Sequence, residues 1–228
     1  MEGGTMESYM NRISNTGIVP VVKILEKEDA YPLAKALLNG GIDVIEVTYR
    51  SEHATSAIQT ISEQLPDMLV GAGTVLSVEQ AKEAVEAGAK FIITPGFNTK
   101  VVQWCLDHDV EVYPGVSTAS EVEMALSMGL TQLKFFPAES SGGAKKLKDL
   151  SAPYANVHFM PTGGINTKNM HDYLSLPNVE AIGGSFMLPN DLVVAKDWDG
   201  IEALSKAAIK SLLDFQLIHV GINTNSPE

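Results

Sequence analysis

The stretch GIVPVVKILEKEDAYPLAKALLNGGIDVIEVTYR, residues 17–50, sets two short apolar runs around one helix-patterned segment. GIVPVVKI (17–24) and IDVIEVTY (42–49) are rich in Val and Ile and lack strict polar alternation. Strands covered on both faces read this way, and such strands belong to parallel sheets wrapped in helices. Between them EDAYPLAKALLNGG is amphipathic and closes on glycine, a common helix stop. An open doubly wound sheet is the competing fold, but VVKILEKEDA after the first strand carries no glycine for the phosphate turn such a sheet uses.

The same unit recurs along the chain. Further β-rich runs are MLVGAGTV (68–75), KFIITPG (90–96), VEVYPGV (110–116), TQLKFFPA (131–138), VHFMPTGGI (157–165) and VEAIGGSF (179–186). Segments such as SVEQAKEAVEAGA, TASEVEMALSMGL and NTKNMHDYLSL lie between runs, several opening on Ser, Thr or Asn and closing on Gly, the residues that cap helices. Eight strand–helix units in about 200 residues predict an α/β fold of the (β/α)8 TIM barrel type, near its lower size limit. The layout expected is a short N-terminal helical segment over 1–15 covering the bottom of the barrel, a single barrel domain over 16–212, and a C-terminal tail over 213–228 of no assigned role. That tail holds a ninth apolar run, FQLIHVGI, and then NSPE, which reads as the start of a helix.

Composition narrows the partners. The 228 residues are 45% hydrophobic and 19% charged with a net charge of -12, and no Lys/Arg run forms a basic face, so nucleic acid is not expected as a partner. No apolar run approaches the roughly 20 residues that span a bilayer, and the N-terminus lacks the apolar core of a secretory signal. The simplest reading is a soluble cytoplasmic protein without a membrane partner. The single cysteine, Cys105 in VVQWCLDH, sits on an apolar helix face and reads as core. The five histidines, His53, His108, His158, His171 and His219, have no ligand-like spacing, so no metal site is expected.

In a barrel the active site lies at the C-terminal ends of the strands, and the polar residues there are Lys23, Glu46, Thr48, Arg50, Thr74, Thr94, Lys134, Thr162, Gly163, Gly164, Gly183, Gly184 and Ser185. Lys134 stands in LKFFPA among apolar neighbours, where desolvation favours the neutral amine that can attack a carbonyl. Glu46, inside VIEVTYR, should point into the barrel if Lys134 does, and a carboxyl beside such a lysine can shuttle protons. The residues alone leave a second reading, a structural lysine paired with Glu46 or Glu139. Arg50, just past the strand, can grip a carboxylate with two parallel hydrogen bonds. PTGGI and IGGSF place Gly-Gly pairs after the seventh and eighth strands, where barrels often cradle phosphate with backbone N–H groups. Without a metal, carbanion chemistry needs another electron sink, and a lysine imine is one.

GGIDVIEVTYR, VGAGTVL, FIITPGF, YPGVSTASE, LKFFPAE, FMPTGGI and AIGGSF together resemble the strand motifs of the KDPG/KHG aldolases, over about residues 16–212. These are class I aldolases that cleave 2-keto-3-deoxy-6-phosphogluconate (KDPG) and 4-hydroxy-2-oxoglutarate (KHG). The resemblance implies that Lys134 forms the Schiff base and that Glu46 is the acid/base acting through a bound water. Arg50 and Thr74 would hold the pyruvate carboxylate, with Thr162, Phe136 and Pro95 lining the pocket. Gly163, Gly164, Gly184, Ser185 and Lys23 would take the phosphate. The resemblance further implies a phosphorylated 2-keto acid as substrate, no cofactor beyond the covalent lysine imine, and a homotrimer. The alternatives are cleavage of the galactonate epimer and a non-covalent phosphosugar epimerase or isomerase using Glu46 and Lys134 as acid and base. A silent barrel that only binds a ligand or protein has no physical need for a desolvated lysine.

Overall fold

The computed structural model describes residues 9–213. Helix α1 (Tyr9–Thr16) leads into β1 (Ile18–Val22), and α2 (Ala30–Asn39), β2 (Val44–Thr48), α3 (Ala54–Gln64), β3 (Leu69–Gly73), α4 (Val78–Glu86) and β4 (Phe91–Ile93) follow. Next come α5 (Thr99–Asp107), β5 (Glu111–Tyr113), β6 (Gly115–Val116), α6 (Ala119–Ser127), β7 (Gln132–Phe135), α7 (Gly143–Ser151) and β8 (His158–Pro161). The described chain ends with α8 (Met170–Leu174), β9 (Ile182–Gly184), α9 (Asn190–Ala195) and α10 (Trp198–Leu213). Each of the eight expected runs carries a strand. The fifth is cut in two at Pro114, which has no N–H to give to a ladder. The expected C-terminal tail lies outside the described residues beyond Leu213. Among the described residues no helix is long and apolar enough to cross a membrane.

The fold is α/β, with parallel strands in a curled arrangement. Six strands pair in the order β5-β4-β3-β2-β1-β9, and three more in the order β6-β7-β8. Two bridges join the sheets on one side, Phe159 with Val179 and Thr162 with Gly183. On the other side the Lys134 N–H donates to the Pro114 carbonyl at 3.0 Å, one residue past β5.

The strands are apolar on both faces because both are covered. Ile18, Val22, Ile45, Val47, Val70, Ala72, Ile92, Val112, Leu133, Phe135, Phe159 and Ile182 pack outward into the large cluster shared with the helices. The alternate residues Val19, Val44, Leu69, Phe91, Ile93, Tyr113 and Met160 meet on the inner side in a second cluster, joined by Met10 and Ile13 of α1. Burying each of those two α1 side chains is worth about 1.5–3 kcal/mol, enough to dock a helix of eight residues that would not hold alone. Arg12 pins the same helix to Asp43 at 2.8 Å.

Side-chain caps open three of the helices. Ser77 accepts from the Gln80 N–H, Asn98 from those of Lys100 and Val101, and Thr118 forms a capping box with Glu121. Glu121 is partly buried, which opposes its charge. Hydrogen bonds from the N–H and hydroxyl groups of Ser117 and Thr118 outweigh this and hold its carboxyl below the usual range. Cys105 is core as expected, and burial pushes its thiol up to about 12.

Candidate active site

Strand β2 builds one wall of the site by parity. Glu46 and Thr48 share the inward face two residues apart, while Ile45 and Val47 face the helices. From β7, Lys134 reaches the same interior, and its Nζ donates to Glu46 Oε1 at 3.2 Å and Oε2 at 3.4 Å. Glu46 is fully buried and Lys134 is 4% exposed. A pair this dry would be expensive to leave half-made, so each group holds the other in place. The Phe136 ring lies 5.3 Å from the ammonium, within cation–π range.

Glycines make room along the inner wall. A Cβ built on Gly73 would stand 2.0 Å from Glu46 Oε1, and one on Gly71 would stand 2.0 Å from the Phe91 ring. Neither has a positive φ, so the requirement is for space rather than backbone freedom. Gly183 does the same opposite Thr162, where a Cβ would come within 2.2 Å of Oγ1. The Thr162 hydroxyl is buried and has no hydrogen-bond partner among the described residues.

Thr74, directly after β3, has φ 55. A β-branched residue in the left-handed region is strained, and such strain concentrates at functional sites. The Thr94 hydroxyl is buried and donates to the Gly96 carbonyl at 2.7 Å. It shapes the turn that carries Pro95, whose carbonyl leans against Gly115, the residue paired with Lys134. That places Pro95 against β6, the strand that pairs with the lysine strand.

The Gly163–Gly164 turn has φ 105 and 80, a conformation closed to most side chains. It is braced from below: the Ala138 N–H donates to the Thr162 carbonyl at 2.8 Å and the Glu139 N–H to the Gly163 carbonyl at 3.0 Å. The Tyr173 hydroxyl in turn donates to Glu139, and burial together with that carboxylate pushes the phenol up. Lys23, Arg50, Ser185 and Asn190 line one cavity of about 180 Å³, walled on its apolar side by Leu25, Leu33, Leu188 and Val193.

The structure thus joins Lys134, Glu46 and Phe136 in one contact group and sets Thr162 against the Gly183 wall. It also puts Arg50, expected at a carboxylate, in the same cavity as Lys23 and Ser185, expected at a phosphate. Lys23 and Arg50 thus bring two cations to one cavity of a chain whose net charge is -12. Sequence reasoning missed Gly71 and Gly73, whose importance depends on cross-strand register: Glu46 pairs with Gly71 and Thr48 with Gly73.

The family model described as KDPG and KHG aldolase matches residues 9–204. The 2-dehydro-3-deoxy-phosphogluconate aldolase of Treponema pallidum is 44% identical over 205 residues, covering 90% of this chain and 98% of that protein. The KHG/KDPG aldolase of Escherichia coli K12 is 44% identical over 199 residues, covering 87% and 93%. Among solved structures, the KDPG aldolase of Legionella pneumophila, with pyruvate captured at low pH as a covalent carbinolamine, superposes with a TM-score of 0.85 at 40% identity, covering 89% of this chain and 98% of that one. With a matching family model over most of its length and relatives of this identity, the chain belongs to the KDPG and KHG aldolase family.

Proposed function

We propose that this protein is a metal-independent class I aldolase that cleaves 2-keto-3-deoxy-6-phosphogluconate to pyruvate and glyceraldehyde 3-phosphate, and that it also takes the shorter 4-hydroxy-2-oxoglutarate. The observation that carries the reading is the buried Lys134–Glu46 contact of 3.2 Å. The two sheets are taken to close as one eight-stranded barrel, in line with the bridges between β8 and the residues around β9.

Glu46 is placed to draw a proton from Lys134, freeing the amine to attack C2 of the keto acid. The carbinolamine loses water to a protonated imine. Glu46, directly or through a water, then removes the C4 hydroxyl proton. The C3–C4 bond breaks, its electron pair passes into the imine to give an enamine, and the aldehyde leaves. Return of the proton to C3 and hydrolysis of the imine release pyruvate and restore Lys134. No cofactor is needed, because the imine is itself the electron sink. Arg50 and Thr74 take the carboxylate, Pro95 and Phe136 the apolar side of the pocket, and Thr162 the polar side. Gly163, Gly164, Gly184, Ser185 and Lys23 take the phosphate. The family resemblance also suggests a homotrimer, which analytical ultracentrifugation tests.

Borohydride reduction in the presence of pyruvate should add the adduct mass to Lys134. Lys134→Ala should lower pyruvate release, followed with lactate dehydrogenase, by more than about a thousandfold. Active enzyme that borohydride and pyruvate leave unmodified at Lys134 would instead place the chain with non-covalent epimerases or isomerases. Rates with the gluconate, the galactonate epimer and the short unphosphorylated substrate rank the three, and equal rates with and without phosphate would remove the Gly-Gly assignment.

A further inference from the structure

Thr48 is fully buried on the inner face of β2, two residues past Glu46 and two before Arg50. Its hydroxyl makes two hydrogen bonds, to the Val22 carbonyl at 2.7 Å and with Arg50 Nε at 3.1 Å. The directions are forced by chemistry. A carbonyl only accepts and a guanidinium only donates, so the Thr48 proton goes to Val22 and a Thr48 lone pair takes the Arg50 Nε–H.

We propose that Thr48 is a positioning residue that fixes the guanidinium of Arg50 and decides which edge of it meets the substrate. With Nε–H engaged by Thr48, the side-on edge is closed to a second partner. The end-on edge, with its two Nη groups, is left for a bidentate grip on a carboxylate. Arg50 lies beyond the end of the strand on an exposed side chain, and without this anchor it would lose rotamer freedom on every binding event. The anchor is rigid because Val22 ends β1, whose pairing with Val47 ties it to the same sheet. One segment therefore carries the proton carrier and the anchor at the inward positions 46 and 48 of β2, with the anion clamp at Arg50, two residues past the strand end.

The proposal rests on the reading of Arg50 as the carboxylate clamp, and its test separates the two. The measured quantity is the pyruvate concentration that gives half-maximal borohydride trapping at Lys134, with kcat for aldol cleavage taken alongside. Thr48→Val keeps the shape and deletes the hydroxyl. It is expected to raise the half-trapping concentration and KM by about tenfold or more, the effect of one hydrogen bond to a charged group, with kcat changed less than about threefold. Thr48→Ser should restore both. In an Arg50→Ala background Thr48→Val should add nothing, since Thr48 acts through Arg50. Thr48→Ala repeats the test should the valine variant not fold. An unchanged half-trapping concentration in Thr48→Val, with a raised one in Arg50→Ala, overturns the positioning role and leaves the clamp. A Thr48 effect that persists undiminished without Arg50 also overturns it, and an Arg50→Ala enzyme that binds pyruvate normally overturns both.

Discussion

Replacing Gly73 with alanine is expected to separate imine formation from proton transfer. The new Cβ would lie 2.0 Å from Glu46 Oε1, 2.4 Å from Cγ and 2.5 Å from Cδ. Comfortable contact between carbon atoms is about 3.5–4.0 Å, so the glutamate must retreat by roughly 1–1.5 Å. Its partner is only 3.2 Å away, and the surrounding walls are buried side chains that cannot yield far. A displacement of that size in a reacting group costs about a hundredfold in rate. Overpacking of one methyl costs about 1–3 kcal/mol, and each kcal/mol lowers Tm by about 2–4 °C in a chain of this length, so the variant should still fold. Two assays on the same protein divide the steps. Borohydride trapping of pyruvate at Lys134 reports the imine, and exchange of the pyruvate methyl protons into deuterated water reports the proton carrier. Trapping should slow but still reach its full extent at saturating pyruvate, while exchange falls about a hundredfold. Exchange within about threefold of the wild-type rate would refute the claim that the empty space at Gly73 positions Glu46.

Two further outcomes follow from groups outside the site. Because burial pushes the Cys105 thiol up to about 12, the native protein at pH 8 should resist iodoacetamide and take up one equivalent only after denaturation; rapid labelling of the native state would contradict its core placement. The lowered carboxyl of Glu121 contributes stability above the ordinary carboxylate range, and this is lost as pH falls through its folded-state value. Glu121→Gln should therefore lower Tm at pH 7, with the gap to the wild type narrowing as pH falls below the ordinary carboxylate range, and a Tm gap independent of pH would rule out the charge as the source.

The α/β class and its parallel strands could be read from the sequence because strands buried on both faces leave long apolar runs, and caps such as Ser77 and Thr118 mark helices between them. What the runs could not convey was pairing. VEVYPGV reads as one strand, yet Pro114 splits it, and only the three-dimensional register shows its carbonyl meeting the Lys134 N–H. The facing of Glu46 and Lys134 followed from parity and from the rarity of charges in such runs. The left-handed backbone at Thr74 left no trace, because threonine is a residue type that usually avoids it. Thr48 stood among the polar strand-end residues, but its bonds to Val22 and Arg50 depend on where neighbouring strands end. Gly71 and Gly73 in MLVGAGTV look like weak points in a strand until the side chains opposite them are known.

Those glycines also bound what change the protein can undergo. At Gly71, Gly73 and Gly183 the inner wall already carries the smallest side chain there is, so substitution at that depth can only narrow the chamber. Selection for bulkier substrates, in nature or in the laboratory, has no room to work at the floor. It must act at the rim, where Lys23, Ser185 and Asn190 line the opening beside Arg50.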